Sequence, residues 1–324
     1  MLSHQAGRLL GQLIAEGVSP WLAVEDGEAL ADAVRRRLLG DAFQAAVVPP
    51  GTPVPQVRLA CDALLPLFTA GGGRGQVSVP VDPRLADRAG ALLAGARALH
   101  AAVRRPNVLV RLPMTAAGRA VMTELLADGI GVHASLVLSE ERCADVLDAY
   151  VEGMERALAA GVRLGDVLVA VACPVGLLDA EADARLARSG AAPEALPDGT
   201  AGRALARLLF RLREQRLAGD WWRVLRADGA LPPRLLWTGG RAEDAAGLVG
   251  SNTALALSPQ ELERAARLGP LRGDTLLGKH LAAREAFTVL ERLGVDLSEA
   301  AAVAEHRELE RLRHGWELRT AVSS

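Results

Sequence analysis

The chain has 324 residues, half of them hydrophobic, enough to bury a large core in one α/β barrel or in two smaller domains. Acidic and basic residues nearly cancel to a formal net charge of −2 and are spread throughout, which leaves no basic face for a nucleic acid. No apolar run reaches the ~20 residues that span a bilayer, and the start Met1-Leu2-Ser3-His4 is no leader pattern, so a cytoplasmic protein without membrane contact is expected.

Short apolar runs alternate with longer stretches of helical period, the pattern of a parallel α/β protein. In chain order, strands are expected over residues 20–24, 43–48, 76–81, 107–112, 131–138, 166–173, 234–237 and 253–257, and eight strands suit a closed barrel. Helical stretches between them include 28–39, 83–103, 140–160 and 201–217, with apolar residues three and four apart. The basic run at Arg35, Arg36 and Arg37 closes the first of these, where cations meet the negative end of the helix dipole. The Pro-rich 49–55 and Gly-rich 71–75 segments read as loops. Ser258, Pro259 and Glu261 form a helix start, since serine caps, proline suits the first turn and the glutamate returns to the cap amide. Two more helices follow Lys279, the second from Ser298 to about Leu318 with Glu and Arg alternating on its solvent side. The expectation is a TIM (β/α)8 barrel with additional N- and C-terminal helices, a single domain over residues 1–324.

Cys61, Cys143 and Cys173 are widely spaced and form no CxxC pair, which argues for buried thiols rather than disulfides or a structural zinc. The histidines are scattered, with His306 and His314 eight positions apart, so no metal and no cofactor are expected. Lys279 is the single lysine. Arginine keeps its proton near neutral pH and does not serve as an amine nucleophile.

Several stretches resemble the bacterial transaldolase family: GVSPWL at 17–22, QVSVPVDPRLA at 76–86, RPNVLVRLP at 105–113, ERALAAG at 155–161 and LRGDT at 271–275. The resemblance runs along nearly the whole chain, except after strand two, and implies that family's barrel. It also implies a Schiff-base lysine at the end of strand four, where this chain has Arg111. The family's acid/base aspartate on strand one falls at Ala23, and its glutamate on strand three at Pro80. The asparagine closing strand two falls within Val48-Pro49-Pro50, and the strand-five asparagine and threonine fall at His133 and Ser135. The strand-six serine falls at Cys173 and the phosphate-binding arginine near Gly176 and Leu177. Imine chemistry on a ketose phosphate is therefore not expected.

The groups expected at the barrel mouth are Arg111, His133, Ser135, Cys173 and Trp237, with Thr238 beside it. Arg111 is either a clamp for an anion or an internal cation paired with Asp82 or Glu25. Cys173 and His133 are either a nucleophilic dyad or a buried thiol beside a hydrogen-bonded imidazole. Trp222 reads as core, and Trp221 as a residue free to face a partner. These readings lead to a homologue without transaldolase activity, a pseudoenzyme serving as an accessory subunit or small-molecule binder beside a partner enzyme of a specialised biosynthetic pathway. The alternative is a repurposed enzyme using Arg111, His133 and Cys173 on a substrate other than a sugar phosphate.

Overall fold

The computed structural model describes residues 2–189 and 199–322. Eight parallel strands close a barrel in sequential order: β1 (Val18–Ala23), β2 (Ala45–Val47), β3 (Val77–Pro80), β4 (Val108–Pro113), β5 (Val132–Ser135), β6 (Val169–Pro174), β7 (Arg234–Thr238) and β8 (Thr253–Leu257). Closure is made by β1 on β8, with Val18 opposite Thr253 and Leu22 opposite Leu257. Every expected strand is present. The fifth is shorter than expected because Leu136 adopts the left-handed conformation (φ 62°) and turns the chain out of the ladder.

Helices surround the barrel: α1 (His4–Ala15), α2 (Gly27–Arg35), the single turn α3 (Leu38–Asp41), α4 (Val54–Thr69), α5 (Ala89–Val103), α6 (Ala116–Ala127) and α7 (Glu140–Ala159). They continue with α8 (Val175–Ser189), α9 (Thr200–Arg216), α10 (Asp220–Ala227), the turn α11 (Asp244–Gly247), α12 (Pro259–Arg267), α13 (His280–Arg292) and α14 (Leu297–Val322). The expected helix over 28–39 stops at Arg35 because Arg37 is left-handed. The expected helix over 83–103 divides into a 3-10 turn, Pro83–Leu85, and α5. At α12 the Ser258 hydroxyl accepts from the Glu261 amide while Glu261 accepts from the Ser258 amide, the reciprocal cap expected from the sequence. Among the described residues, no helix is long and apolar enough to cross a membrane.

Strand alternation sorts the core into two shells. Val110, Leu112, Val132, Val171 and Leu235 face outward to the helices, while Trp21, Leu109, Leu168, Ala170, Ala172, Leu236 and Ala256 fill the barrel. The inward residues taper along the strands: Trp21, Leu109 and Leu168 lie towards the N-terminal end, and Ala23, Val47 and Ala172 towards the C-terminal end. Wide side chains close the base and small ones leave the mouth open. The last helix, α14, returns to that mouth, with Leu309 packed with Ala86 and Leu136 and with Arg142 bonded to Glu305 at 3.3 Å.

Candidate functional site

The mouth holds a cavity of about 500 Å³ lined by Ala23, Glu25, Val48, Arg111, His133, Ser135, Thr238 and, from α14, Glu308 and Arg311. Its polar floor follows from strand parity. Arg111 on β4 stands opposite Pro80 of β3 and His133 of β5, so these inward positions lie side by side. Ser78, two residues before Pro80 and on the same face, brings its Oγ to 2.7 Å from His133 Nδ1.

Arg111 donates from Nη2 to the Val48 carbonyl at 2.7 Å and has no carboxylate within ion-pair distance among the described residues. The expected pairing with Asp82 is not made: Asp82 is taken by Arg84, at 2.7 Å. Glu25 lines the same cavity without an ion pair to Arg111. Burial pushes the Arg111 pKa down to about 10, which leaves a full guanidinium charge at neutral pH. His133 is 1% exposed, and burial first, then the neighbouring Arg111 charge, hold its pKa well below the usual value, so the ring is neutral. Nδ1 is hydrogen-bonded to the Ser78 hydroxyl, and the ring meets Trp21 edge-on with centroids 6.2 Å apart.

The structure brings Arg111, His133 and Ser135 into one cavity, with Ser135 Oγ donating to the Leu112 carbonyl at 2.9 Å. Cys173 and Trp237 it places elsewhere. Register pairs His133 with Ala170, so Cys173, three residues on, points to the opposite face; Cys173 and Trp237 are opposite each other and buried in the outer shell. Burial also raises the Cys173 pKa well above its ordinary value, so the thiol keeps its proton and no cysteine–histidine dyad exists. Three contributors were not singled out from the sequence: Ser78, Glu308 and Arg311. Ser78 was legible from the alternation of Val77, Ser78, Val79 and Pro80, whereas the α14 pair reaches the mouth only through tertiary packing. Lys279 is exposed at the N-cap of α13 and does not line the mouth. Trp222 is buried, as expected, and Trp221 is exposed on α10.

A closed eight-stranded parallel barrel with its polar cavity at the C-terminal strand ends defines a (β/α)8 protein of the kind that builds active sites on its strand-end loops. Residues 12–217 match the family model described as Transaldolase/Fructose-6-phosphate aldolase, and the chain belongs to that family. It is 36% identical over 269 residues to "Transaldolase 1" of Streptomyces avermitilis, covering 80% of this chain and 71% of that protein. It is 37% identical to "Transaldolase 1" of Streptomyces coelicolor, over 82% of this chain and 73% of the relative. A "Transaldolase" of Acidothermus cellulolyticus is 36% identical, over 82% of this chain and 74% of its own length. These relatives correct the expectation of an inactive accessory subunit and, with it, that of an enzyme moved away from sugar phosphates. The likeness to proteins named for a catalytic activity covers 80–82% of the chain.

Proposed function

We propose that this chain is an enzyme of aldol cleavage or transfer acting on a ketose phosphate in the barrel mouth, with Arg111 holding the substrate carbonyl. What supports the reaction class is the likeness to proteins named transaldolase and the family description, which includes fructose 6-phosphate. The observation that carries the reading is Arg111 itself, a part-buried guanidinium on the cavity wall that bonds the Val48 carbonyl and makes no ion pair among the described residues. An unpaired buried charge is costly, and a ligand oxygen that gains negative charge during reaction offsets that cost where it is needed.

In this reading the Schiff-base lysine that the resemblance leads one to seek at Arg111 is absent, and the lone Lys279 sits outside the mouth. Ala23 and Pro80 likewise stand where the resemblance implies acid/base carboxylates. Chemistry then proceeds without an imine. The C4 hydroxyl gives its proton to the neutral His133, the C3–C4 bond breaks, and C4 leaves as an aldehyde. The electron pair passes to the ketone oxygen as an enediolate held by the Arg111 N–H groups. In the transfer direction C3 of the enediolate bonds to the carbonyl carbon of an acceptor aldehyde and the new alkoxide takes the proton back from His133; in simple cleavage that proton goes to C3. Ser78 fixes the ring through Nδ1.

The test is turnover of fructose 6-phosphate with and without an aldehyde acceptor, before and after borohydride treatment in the presence of substrate. Turnover that survives borohydride and falls by about 100-fold or more in Arg111→Ala supports the reading. Absence of both turnover and substrate binding, or a borohydride adduct on Lys279, overturns it.

A further inference from the structure

At the opposite end of the barrel a second, smaller cavity of about 40 Å³ lies among Trp21, Gly73, Gln76, Leu231, Arg234 and Asn252. A space of that size holds about three water molecules. Its walls combine unmet donors with unmet charge. Trp21 Nε1 and Asn252 Nδ2 are both buried and have no hydrogen-bond partner. Arg234, the first residue of β7, makes one long bond, Nη2 to the Gly72 carbonyl at 3.4 Å, and no ion pair among the described residues. Arg74, on the adjoining glycine-rich turn, is half-buried and likewise without an ion pair there. Burial first, then the charges of Arg213 and Arg74, push the Arg234 pKa down to about 10. Arg213 in turn fixes the cavity wall, donating to the Asn252 carbonyl at 2.7 Å and the Ser251 carbonyl at 3.1 Å.

One acceptor interrupts this set of donors. Gln76 donates its Nε2 to the Gly73 carbonyl at 2.6 Å, which leaves its buried Oε1 unpartnered. A fully deprotonated oxyanion would satisfy the donors and leave Gln76 Oε1 facing another acceptor. A monoanion that keeps one hydroxyl satisfies both.

We propose that the base of the barrel is a binding site for a small oxyanion carrying one hydroxyl, of which bicarbonate has the size that fits. Its charge answers Arg234 and Arg74, its two bare oxygens accept from the guanidinium, Trp21 Nε1 and Asn252 Nδ2, and its hydroxyl donates to Gln76 Oε1. The planar guanidinium fork suits a planar three-oxygen ligand better than a halide. Water would fill the space and satisfy the orphan groups, but would leave the charges of Arg234 and Arg74, which make no ion pair among the described residues, uncompensated. The site is separate from the mouth and does not depend on the reaction proposed there.

The experiment is thermal unfolding of the full chain at pH 8 and fixed ionic strength, with chloride exchanged stepwise for bicarbonate, formate or nitrate. Bicarbonate is expected to raise Tm saturably by about 2–4 °C, with formate and nitrate, which lack the hydroxyl, weaker. Arg234→Gln should abolish the bicarbonate response, while Arg226→Gln, the same charge change on a nearby exposed residue, should keep it. Should Arg234→Gln fail to fold, Arg74→Gln on the rim is expected to weaken the apparent affinity about tenfold. No saturable response in the wild type, an equal response in Arg234→Gln or Arg74→Gln, or a response to nitrate and formate as strong as to bicarbonate would overturn the assignment.

Discussion

The two ends of this barrel are built from the same eight strands and differ in what those strands carry inward. At the mouth, Ala23, Val47 and Ala172 are small, and a cavity of about 500 Å³ remains over one buried cation, Arg111, and one neutral imidazole, His133. At the base, Trp21, Leu109 and Leu168 are large, and about 40 Å³ remains beside Arg234. Trp21 is the partition, lining the lower cavity and meeting His133 edge-on from below. Side-chain volume along a strand therefore decides which end of a closed barrel holds an organic substrate and which holds at most a few atoms. Both ends keep an arginine that makes no ion pair among the described residues, so both are places where a ligand's negative charge is worth more than it would be in water.

The largest expected effect separates that kind of arginine from a structural one. Arg111→Met removes a charge whose protein partner is a single carbonyl, so turnover of fructose 6-phosphate should fall by about 100-fold or more while Tm stays level or rises. Arg213→Met removes a more deeply buried cation that bonds Ser251, Asn252 and Glu214, and unfolding in urea should show a loss of about 3 kcal/mol. Equal effects of the two substitutions on stability would erase the distinction between ligand-facing and structural arginines. Close behind comes the partition: Trp21→Ala should cost about 3–5 kcal/mol and join the two cavities, which makes mouth turnover sensitive to anions that enter from the base.

The pH dependence is smaller and has a definite sign. His133 is held neutral in the folded chain, with its pKa below the unfolded value of about 6.5. Above that value neither state binds the proton and the full stability is present. As the pH falls below it, the unfolded chain takes up a proton that the folded chain refuses, and stability declines. The wild type should therefore lose stability between pH 7 and 5 relative to His133→Asn, measured as the difference between their urea midpoints. A difference that stayed constant over this range would show the imidazole to be no longer shielded by burial and Arg111.

Much of the mouth was legible in the sequence because β3, β4 and β5 mark their faces. In Val108-Leu109-Val110-Arg111 and Val132-His133-Ala134-Ser135 a polar group breaks an apolar run, and period two carries its partners to the same face. On β6 and β7 this signal is missing. Val169-Ala170-Val171-Ala172-Cys173 is apolar on both faces, as buried parallel strands are, so nothing in it says that Cys173 points outward; the same holds for Leu235-Leu236-Trp237. The α14 contribution was hidden for another reason. Glu308 and Arg311 have the alternating charges of a solvated helix face, and their position over the mouth comes from packing against residues more than a hundred positions earlier, such as Leu136 and Leu177.

That pair supplies the smallest prediction, and it tests whether α14 belongs to the site or merely covers it. Arg311 bonds Glu308 three residues back, at 2.5 Å, with the arginine 70% exposed and the glutamate 13% exposed. A pair whose cation is mostly in solvent contributes about 0–1 kcal/mol, so Arg311→Gln should leave the urea midpoint nearly unchanged. If the ketose phosphate occupies the mouth, however, its phosphate competes with Glu308 for the Arg311 guanidinium, and the substitution should raise KM about three- to tenfold with kcat unaltered. A drop in kcat instead would move Arg311 from holding the phosphate to shaping the reacting end, and no kinetic change at all would make α14 a lid without ligand contact. Ser139→Ala, which removes only the N-cap of α7, is the reference for this measurement: it should cost about 1 kcal/mol of stability and leave KM as it was.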